Sequence, residues 1–278
     1  MTLTTTEVLS VDGVDLNTLG YNVTTLTGRE SLPPRRGDNV EIAYKQGRIW
    51  TPKSYDQRRE TWSMFVIGAD EDGLVPAVGA RAQFNDNLRM LKQLFGVRQR
   101  QLVLQKKILT GSGLVTLTAE AECVGTLDPT IMAGGTRAVF SADLLFADPF
   151  WYRTQESETF SSAGMTITHP GTIEATKMTI RLDGPLTDPR IRNTTRSPNA
   201  ELRYTGTIAG GDYVTIDTDQ FTAVLHSTGA NVVGKVANSG SVWWMELLAG
   251  ANVMTLDRHS GGAVGAGTVT IDYLPPEL

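Results

Sequence analysis

The sequence predicts a mainly β protein in two parts: an N-terminal mixed β domain carrying one α-helix, and a C-terminal antiparallel β-sandwich. Three observations carry this. Apolar and polar residues alternate through most of the chain, which is the period of a strand. The 28 glycines exceed the usual share of roughly 7%, as many short strands between turns require. A helical repeat of apolar residues occurs once, at 78–96.

The opening MTLTTTEVLSV lacks the basic and apolar regions of a signal peptide, and no 18-residue apolar run exists to span a membrane. Both point to a protein made in a cytoplasm and not inserted into a membrane. LPPRRGDNVEIAYKQGRIW (32–50) holds two prolines, two glycines and few core candidates. It is too long for a tight turn and is expected to form a projecting arm or loop. Its Arg36-Gly37-Asp38 spells an integrin-type tripeptide, a match too short to carry a function. RETWSMFVIG (59–68) sets Trp62, Met64 and Val66 against Thr61, Phe65 and Ile67, a strand expected to be buried on both faces.

In VGARAQFNDNLRMLKQLFG (78–96), Phe84, Leu88, Leu91, Leu94 and Phe95 fall on one helical face. The helix is expected near 79–95, with Gly96 as its stop. The stripe reads as packing, not as a cofactor site. QLVLQKKILTGSGLVTLTAEAECVG (101–125) reads as a hairpin turning at Gly111-Ser112-Gly113. In TRAVFSADLLFADPFW (136–151), Ala138, Phe140, Ala142, Leu144 and Phe146 point one way, and Ser141 and Asp143 the other.

The composition shifts near residue 150, where the polar DPFWYRTQES follows a strong strand. The boundary is expected at 150–158, with domains 1–152 and 153–278. Beyond it, KMTIRLDGP, ELRYTGTIAGGDYVTIDTD, FTAVLHSTG, SVWWMELLAG, ANVMTLDR and TVTIDYL read as short strands of a sandwich. SGGAVGAG (260–267) precedes no helical pattern, so it joins two strands and is not a phosphate loop.

Chemistry is not visible in the sequence, and no catalytic, cofactor-binding or metal-ligating residue is assigned. One cysteine, Cys123, excludes an internal disulfide and a cysteine-based metal cluster. His169, His226 and His259 lack HxH or HExxH spacing and read as structural or surface histidines. No GxSxG elbow exists. Asp212, Asp217 and Asp219 read as a solvated strand face. A net charge of −5 gives no global case for nucleic-acid binding. Basic residues do gather locally. Arg29, Arg35, Arg36, Lys45, Arg48, Lys53, Arg58 and Arg59 mix with Glu30, Asp38, Glu41 and Asp56; Arg98, Arg100, Lys106 and Lys107 have no acids between them. A nucleic-acid stripe, a subunit interface and a solvated face all fit, and the aromatics of a single-strand binder are missing.

In SVWWMELLAGANVMTLDR (241–258), strand geometry puts Trp243, Met245 and Leu247 on one face, and Trp244, Glu246 and Leu248 on the other. One tryptophan then faces the core and its neighbour a second surface. A sugar platform beside Glu246 is an alternative with thin polar support.

The order of these features resembles the distal tail proteins of long-tailed bacteriophages. The matching elements are Asp148-Pro149-Phe150 closing the first domain and the Gly171–Gly184 strand. They continue with Gly211-Asp212 and Ile216-Asp217, then Trp244, Leu247, Gly250 and Asn252 near the C-terminus. Met178 stands where that family commonly has proline, and Ala249 replaces a frequent proline before Gly250. The resemblance spans nearly the whole chain.

It implies a tail-tube-like first domain with a flanking helix and extended loop, and a galectin-like second domain. It further implies a structural, non-enzymatic virion protein with no cofactor. Six copies would form a ring at the distal end of the tail, joining the tail tube protein to the tip hub and tape measure proteins. DNA would pass only in transit through the lumen. The 29–58 segment becomes a candidate for contacts with neighbouring subunits or the tube. Trp244 becomes structural, packed where a strand enters a Gly250-Ala251-Asn252 turn, and Trp243 the neighbour that reaches a partner. The alternative is a carbohydrate-binding or host-adhesion module on the same sandwich.

Overall fold

The structure is a computed structural model and describes residues 8–28, 32–37, 40–41, 48–49, 54–96, 99–111, 113–239 and 244–278. The chain divides into two compact units, Met1–Trp151 with Leu278, and Tyr152–Glu277. The fold is mainly β, with one α-helix among the described residues.

The first unit contains strands β1 (Val8–Val11), β2 (Val14–Asp15), β3 (Tyr21–Thr27), β4 (Arg58–Ile67), β5 (Leu102–Thr110), β6 (Gly113–Val124) and β7 (Arg137–Phe146), with helix α1 (Ala80–Phe95) between β4 and β5. The main path of the sheet runs β2-β1-β5-β6-β7-β4-β3. Strands β4 and β7 pair along their full lengths; their register sets Trp62 opposite Ala142 and Val66 opposite Ala138, large against small, with Phe140 opposite Met64 between them. Those six side chains are all buried, and each large one contributes about 1.5–3 kcal/mol by leaving water. The expectation of two buried faces on β4 is corrected. Thr61, Phe65 and Ile67 are only half-buried, because α1 packs over the Phe140 side, Phe95 lying 6.0 Å from that ring.

The helix forms on the predicted stripe and buries Phe84, Asn87, Leu91 and Phe95, while Leu88 and Leu94 are half-buried. Asn87 breaks the apolar stripe but ties the helix to the end of β4, its Nδ2 donating to the carbonyls of Ile67 (2.9 Å) and Ala69 (2.8 Å). The helix starts hard against that strand end. A Cβ on Gly68 would stand 2.0 Å from the Ala80 carbonyl oxygen, so only glycine fits there. At the other end the Gly96 N–H donates to the Lys92 carbonyl at 2.9 Å.

Strands β5 and β6 form the expected hairpin, in register from Leu102↔Ala121 to Thr110↔Gly113. β1 pairs only with Leu104 to Lys107, so the hairpin tip runs on beyond it. There Leu109 and Leu114 face each other, 64% and 63% exposed. No residue from Ile108 to Ala119 is charged.

The expected projecting loop at 32–50 is in part a paired ribbon. Arg35–Arg36 pairs antiparallel with Ser54–Tyr55, and Val40–Glu41 with Arg48–Ile49. Arg29, Glu30, Asp38, Lys45, Trp50, Lys53, Arg98 and Ser112 lie outside the described residues.

The second unit is a two-sheet sandwich. Its strands are β8 (Glu156–Phe160), β9 (Met165–His169), β10 (Met178–Asp183), β11 (Pro189–Asn193), β12 (Ala200–Tyr204), β13 (Tyr213–Asp217), β14 (Thr222–Leu225), β15 (Ala230–Asn231), β16 (Val236–Ser239), β17 (Gly250–Arg258) and β18 (Thr268–Tyr273). One sheet has the order β8-β18-β10-β13-β14-β15, the other β9-β17-β11-β12-β16. Their inner faces share one core, with Ile180, Ile216 and Ile271 from the first sheet and Ile191, Leu202 and Met254 from the second. The 260–267 loop joins β17 to β18 as expected and is packed down. Val264 is buried and its carbonyl accepts the Thr187 N–H at 2.7 Å. No helix among the described residues is long and apolar enough to cross a membrane.

Candidate functional site

The tryptophan segment does not form the predicted strand. Residues 244–249 make only an isolated bridge, Leu247 to Ala175. Alternation fails there, because Met245, Glu246 and Leu247 are all buried in succession. Two polar devices hold this irregular stretch. Glu246 forms an ion pair with Arg196. Asn252, fully buried, accepts from the Leu248 N–H at 2.8 Å and donates to the carbonyls of Leu248 (2.7 Å) and Gly250 (3.0 Å). Asn193 joins it, donating from Nδ2 to Asn252 Oδ1 at 2.8 Å and to the Glu246 carbonyl at 3.0 Å. A buried carboxamide that satisfies backbone groups replaces the sheet ladder.

The predicted Gly250-Ala251-Asn252 turn is likewise corrected, since these residues open β17. Gly250 does take a positive φ of 91°, whereas Asn252 does not. Trp244 is half-buried against the sandwich core, edge-on to Phe221 at 5.5 Å. Trp243 lies outside the described residues. Glu246 is therefore a buried structural acid, and the proposed sugar platform beside it loses its carboxylate.

Among the described residues the basic side chains are divided between exposed and inward-facing positions: Arg35, Arg36 and Arg59 are exposed, and others are not. Along β5, Lys106 is buried and lies 4.3 Å from the centroid of the Trp151 ring, while Lys107 points the other way. Arg100 pairs with Asp12 at 2.8 Å, and this hydrogen bond holds the Asp12 carboxyl below the usual range. Arg58 turns inward. Its guanidinium meets the Glu60 carboxylate at 2.5 Å with both side chains almost wholly buried, and Glu60 also accepts the Trp62 indole N–H at 2.9 Å. The sequence carries a signal for this pair, since Arg58, Glu60, Trp62 and Met64 share one parity of a strand.

The second sheet of the sandwich carries a ladder of charges that the sequence reading missed. Asp257 on β17 bridges Arg190 and Arg192 on β11, and Glu201 on β12 bridges Arg190 and Arg203. Burial pushes the Asp257 carboxyl up, but the Arg190 hydrogen bond and the fields of both arginines outweigh it and hold the group below its ordinary value.

The histidines and carboxylates serve the fold. His169 is buried. Its Nε2 lies 2.7 Å from the Ile173 carbonyl, while Nδ1 accepts the Gly171 N–H at 3.3 Å. Burial holds it below the ordinary histidine value. His226 stacks on Tyr213 with 4.1 Å between centroids, and His259 sits 4.0 Å from Asp188. Asp212 precedes β13 and Asp217 ends it. Asp212 accepts from the Ser227 hydroxyl at 2.6 Å, and Asp217 from the backbone N–H groups of Asp219 and Gln220 at 2.9 Å. Among the described residues no group of three His, Cys, Asp or Glu is placed to hold a metal. Burial raises the Cys123 thiol to about 11.

What remains conspicuous is apolar surface on the first unit, at the hairpin tip and around Leu19, Leu74, Val75 and Val78. Exposed apolar groups of this kind are candidate interaction surfaces.

The fold belongs to a class found among the hub proteins of phage tails. In particular, the SPP1 Dit protein, described as a paradigm of the hub adsorption apparatus in phages infecting Gram-positive bacteria, matches with a TM-score of 0.66 and 16% identity, over 98% of this chain and 99% of that one. Two structures of the phage P2 baseplate in its activated conformation, with Ca and with Sr, align at TM-scores of 0.41 and 0.40 and 12% identity, over 96% of this chain and 97% of those chains, a level too low to argue from. The sequence matches no protein-family model and no curated protein. The SPP1 Dit likeness establishes the fold, which is the fold that the motif order led us to expect.

Proposed function

We propose that this protein is a structural component of a phage tail tip, the adaptor ring at the distal end of the tail. In this reading the first unit builds a ring of six copies around a channel, and the second is a galectin-like sandwich carried by it. The ring joins the tail tube protein to the hub and tape measure proteins, and DNA crosses the lumen without being bound. The observation that supports it most is the match to a phage hub protein along the whole of both chains, reached independently of the motif order. The mechanism is mechanical. A heterologous contact that closes on itself gives a ring, and a ring offers different faces to the proteins above and below it.

The test is solution mass by light scattering, followed by negative-stain imaging of the same peak. The expected result is six times the 30.1 kDa chain and a ring with a central hole. A monomer at every concentration, with tryptophan emission quenched by glycans, would replace this reading with the sugar-binding one.

A further inference from the structure

The chain between β4 and α1 is an apolar knob with an acidic base. Leu74, Val75 and Val78 are 66%, 62% and 68% exposed, and Leu19 beside them is 66% exposed. Leu19 lies against the loop, since a Cβ on Gly73 would stand 3.0 Å from it. It is also firmly built. Asp70 accepts the N–H groups of Leu74 (2.8 Å) and Asp72 (3.1 Å), the Leu19 N–H donates to the Glu71 carbonyl at 3.0 Å, and the Tyr21 hydroxyl donates to the Glu71 carboxylate at 3.1 Å. A rigid loop holding four aliphatic side chains in water is preorganised for a partner. Asp70, Glu71 and Asp72 make its base acidic, which disfavours nucleic acid and anionic lipid.

The complementary surface lies on the same unit. On the outer face of α1 a hollow of about 320 Å³ is lined by Asn85, Leu88, Arg89, Lys92 and Gln93. Leu88 gives it an apolar floor, and Arg89 and Lys92 a basic rim. Asp86 is the acid of this helix face, and Arg81, five residues before it, is held by the Gly135 carbonyl. The knob precedes the helix start at Ala80, and the hollow around Leu88 lies eight residues into the helix, about 12 Å along its axis. They are two different patches on one chain, acidic-apolar and basic-apolar, which is what a head-to-tail contact between identical subunits requires.

We propose that the Leu74-Val75-Val78 knob of one copy seats in the Leu88 hollow of the next, with Glu71 and Asp72 against its Arg89 and Lys92. This rests on the ring reading and names the contact that would build it.

The test uses the full chain. Val75→Cys and Gln93→Cys are made singly, mixed and oxidised; both positions are exposed, whereas Cys123 is half-buried. A mixed disulfide dimer well above the yield of either variant alone is expected. Combining both changes in one chain is expected to give a ladder of covalent oligomers. In the mass measurement, Arg89→Glu with Lys92→Glu is expected to weaken association by about tenfold or more, and adding Glu71→Lys with Asp72→Lys is expected to restore it. A ring that forms without the disulfide, and is indifferent to the charge reversal, overturns this contact and leaves the ring standing. A disulfide without a ring supports the contact and overturns the ring. A monomer that gives no disulfide overturns both.

Discussion

Two groups of ionic side chains sit on strands of this protein and differ in their access to water. In the first unit Arg58 and Glu60 are enclosed, their side chains 3% and 1% exposed. In the second, the ladder from Arg192 through Asp257, Arg190 and Glu201 to Arg203 lies on an outer sheet face and is mostly half-exposed, from Glu201 at 10% through Arg190 at 23% and Asp257 at 32% to Arg203 at 43%. The contacts are chemically alike. Burial decides what each is worth, because an enclosed charge that loses its partner cannot turn to solvent, whereas a surface charge can.

The largest effect is expected inside. Glu60→Ala should cost the first unit about 3–5 kcal/mol, read by chemical denaturation of the full chain. Arg58→Met with Glu60→Leu should cost less than Glu60→Ala alone, since no orphan charge remains. Next comes Asn252→Ala, which strands the Leu248 N–H and the Asn193 carboxamide. It should lower the second unit's stability by about 1–3 kcal/mol. Arg190→Ala should cost only about 0.2–1 kcal/mol and less in molar salt. A loss as large as that of Glu60→Ala would end the comparison.

The smallest effect is a pH slope. The folded His169 resists protonation because it is buried, while in the unfolded chain it takes a proton near pH 6.5. Its contribution is complete above that pH and is lost as the pH falls toward its lowered folded value. Between pH 7 and 5, the second unit of His169→Gln should therefore lose less stability than the parent does.

The regular parts of this fold were legible because period and burial agree. Ala138, Phe140, Ala142, Leu144 and Phe146 alternate in the sequence and are buried together, and the α1 stripe packs as its spacing dictates. The 244–250 segment misled because its backbone is held by side-chain hydrogen bonds, through Asn252 and Asn193, and such bonding leaves no periodic trace. Arg58 misled for a different reason. Counted among neighbouring charges it reads as surface, and only its parity with Trp62 reveals that it faces inward. The charge ladder joins Arg190 to Asp257, residues whose meeting depends on the β11–β17 register. The apolar knob left one sequence signal, aliphatics placed in a turn-rich stretch, without a period to give it meaning.

The β5–β6 tip lacks the charged gatekeepers that usually flank apolar strands. The free chain thus carries Leu109 and Leu114 uncovered, and in the ring reading proposed above, seating against a neighbour would run in a race against off-pathway stacking of these tips. Stock solubility of the isolated protein, and its recovery with Leu109→Lys and Leu114→Glu, report on how that race is set.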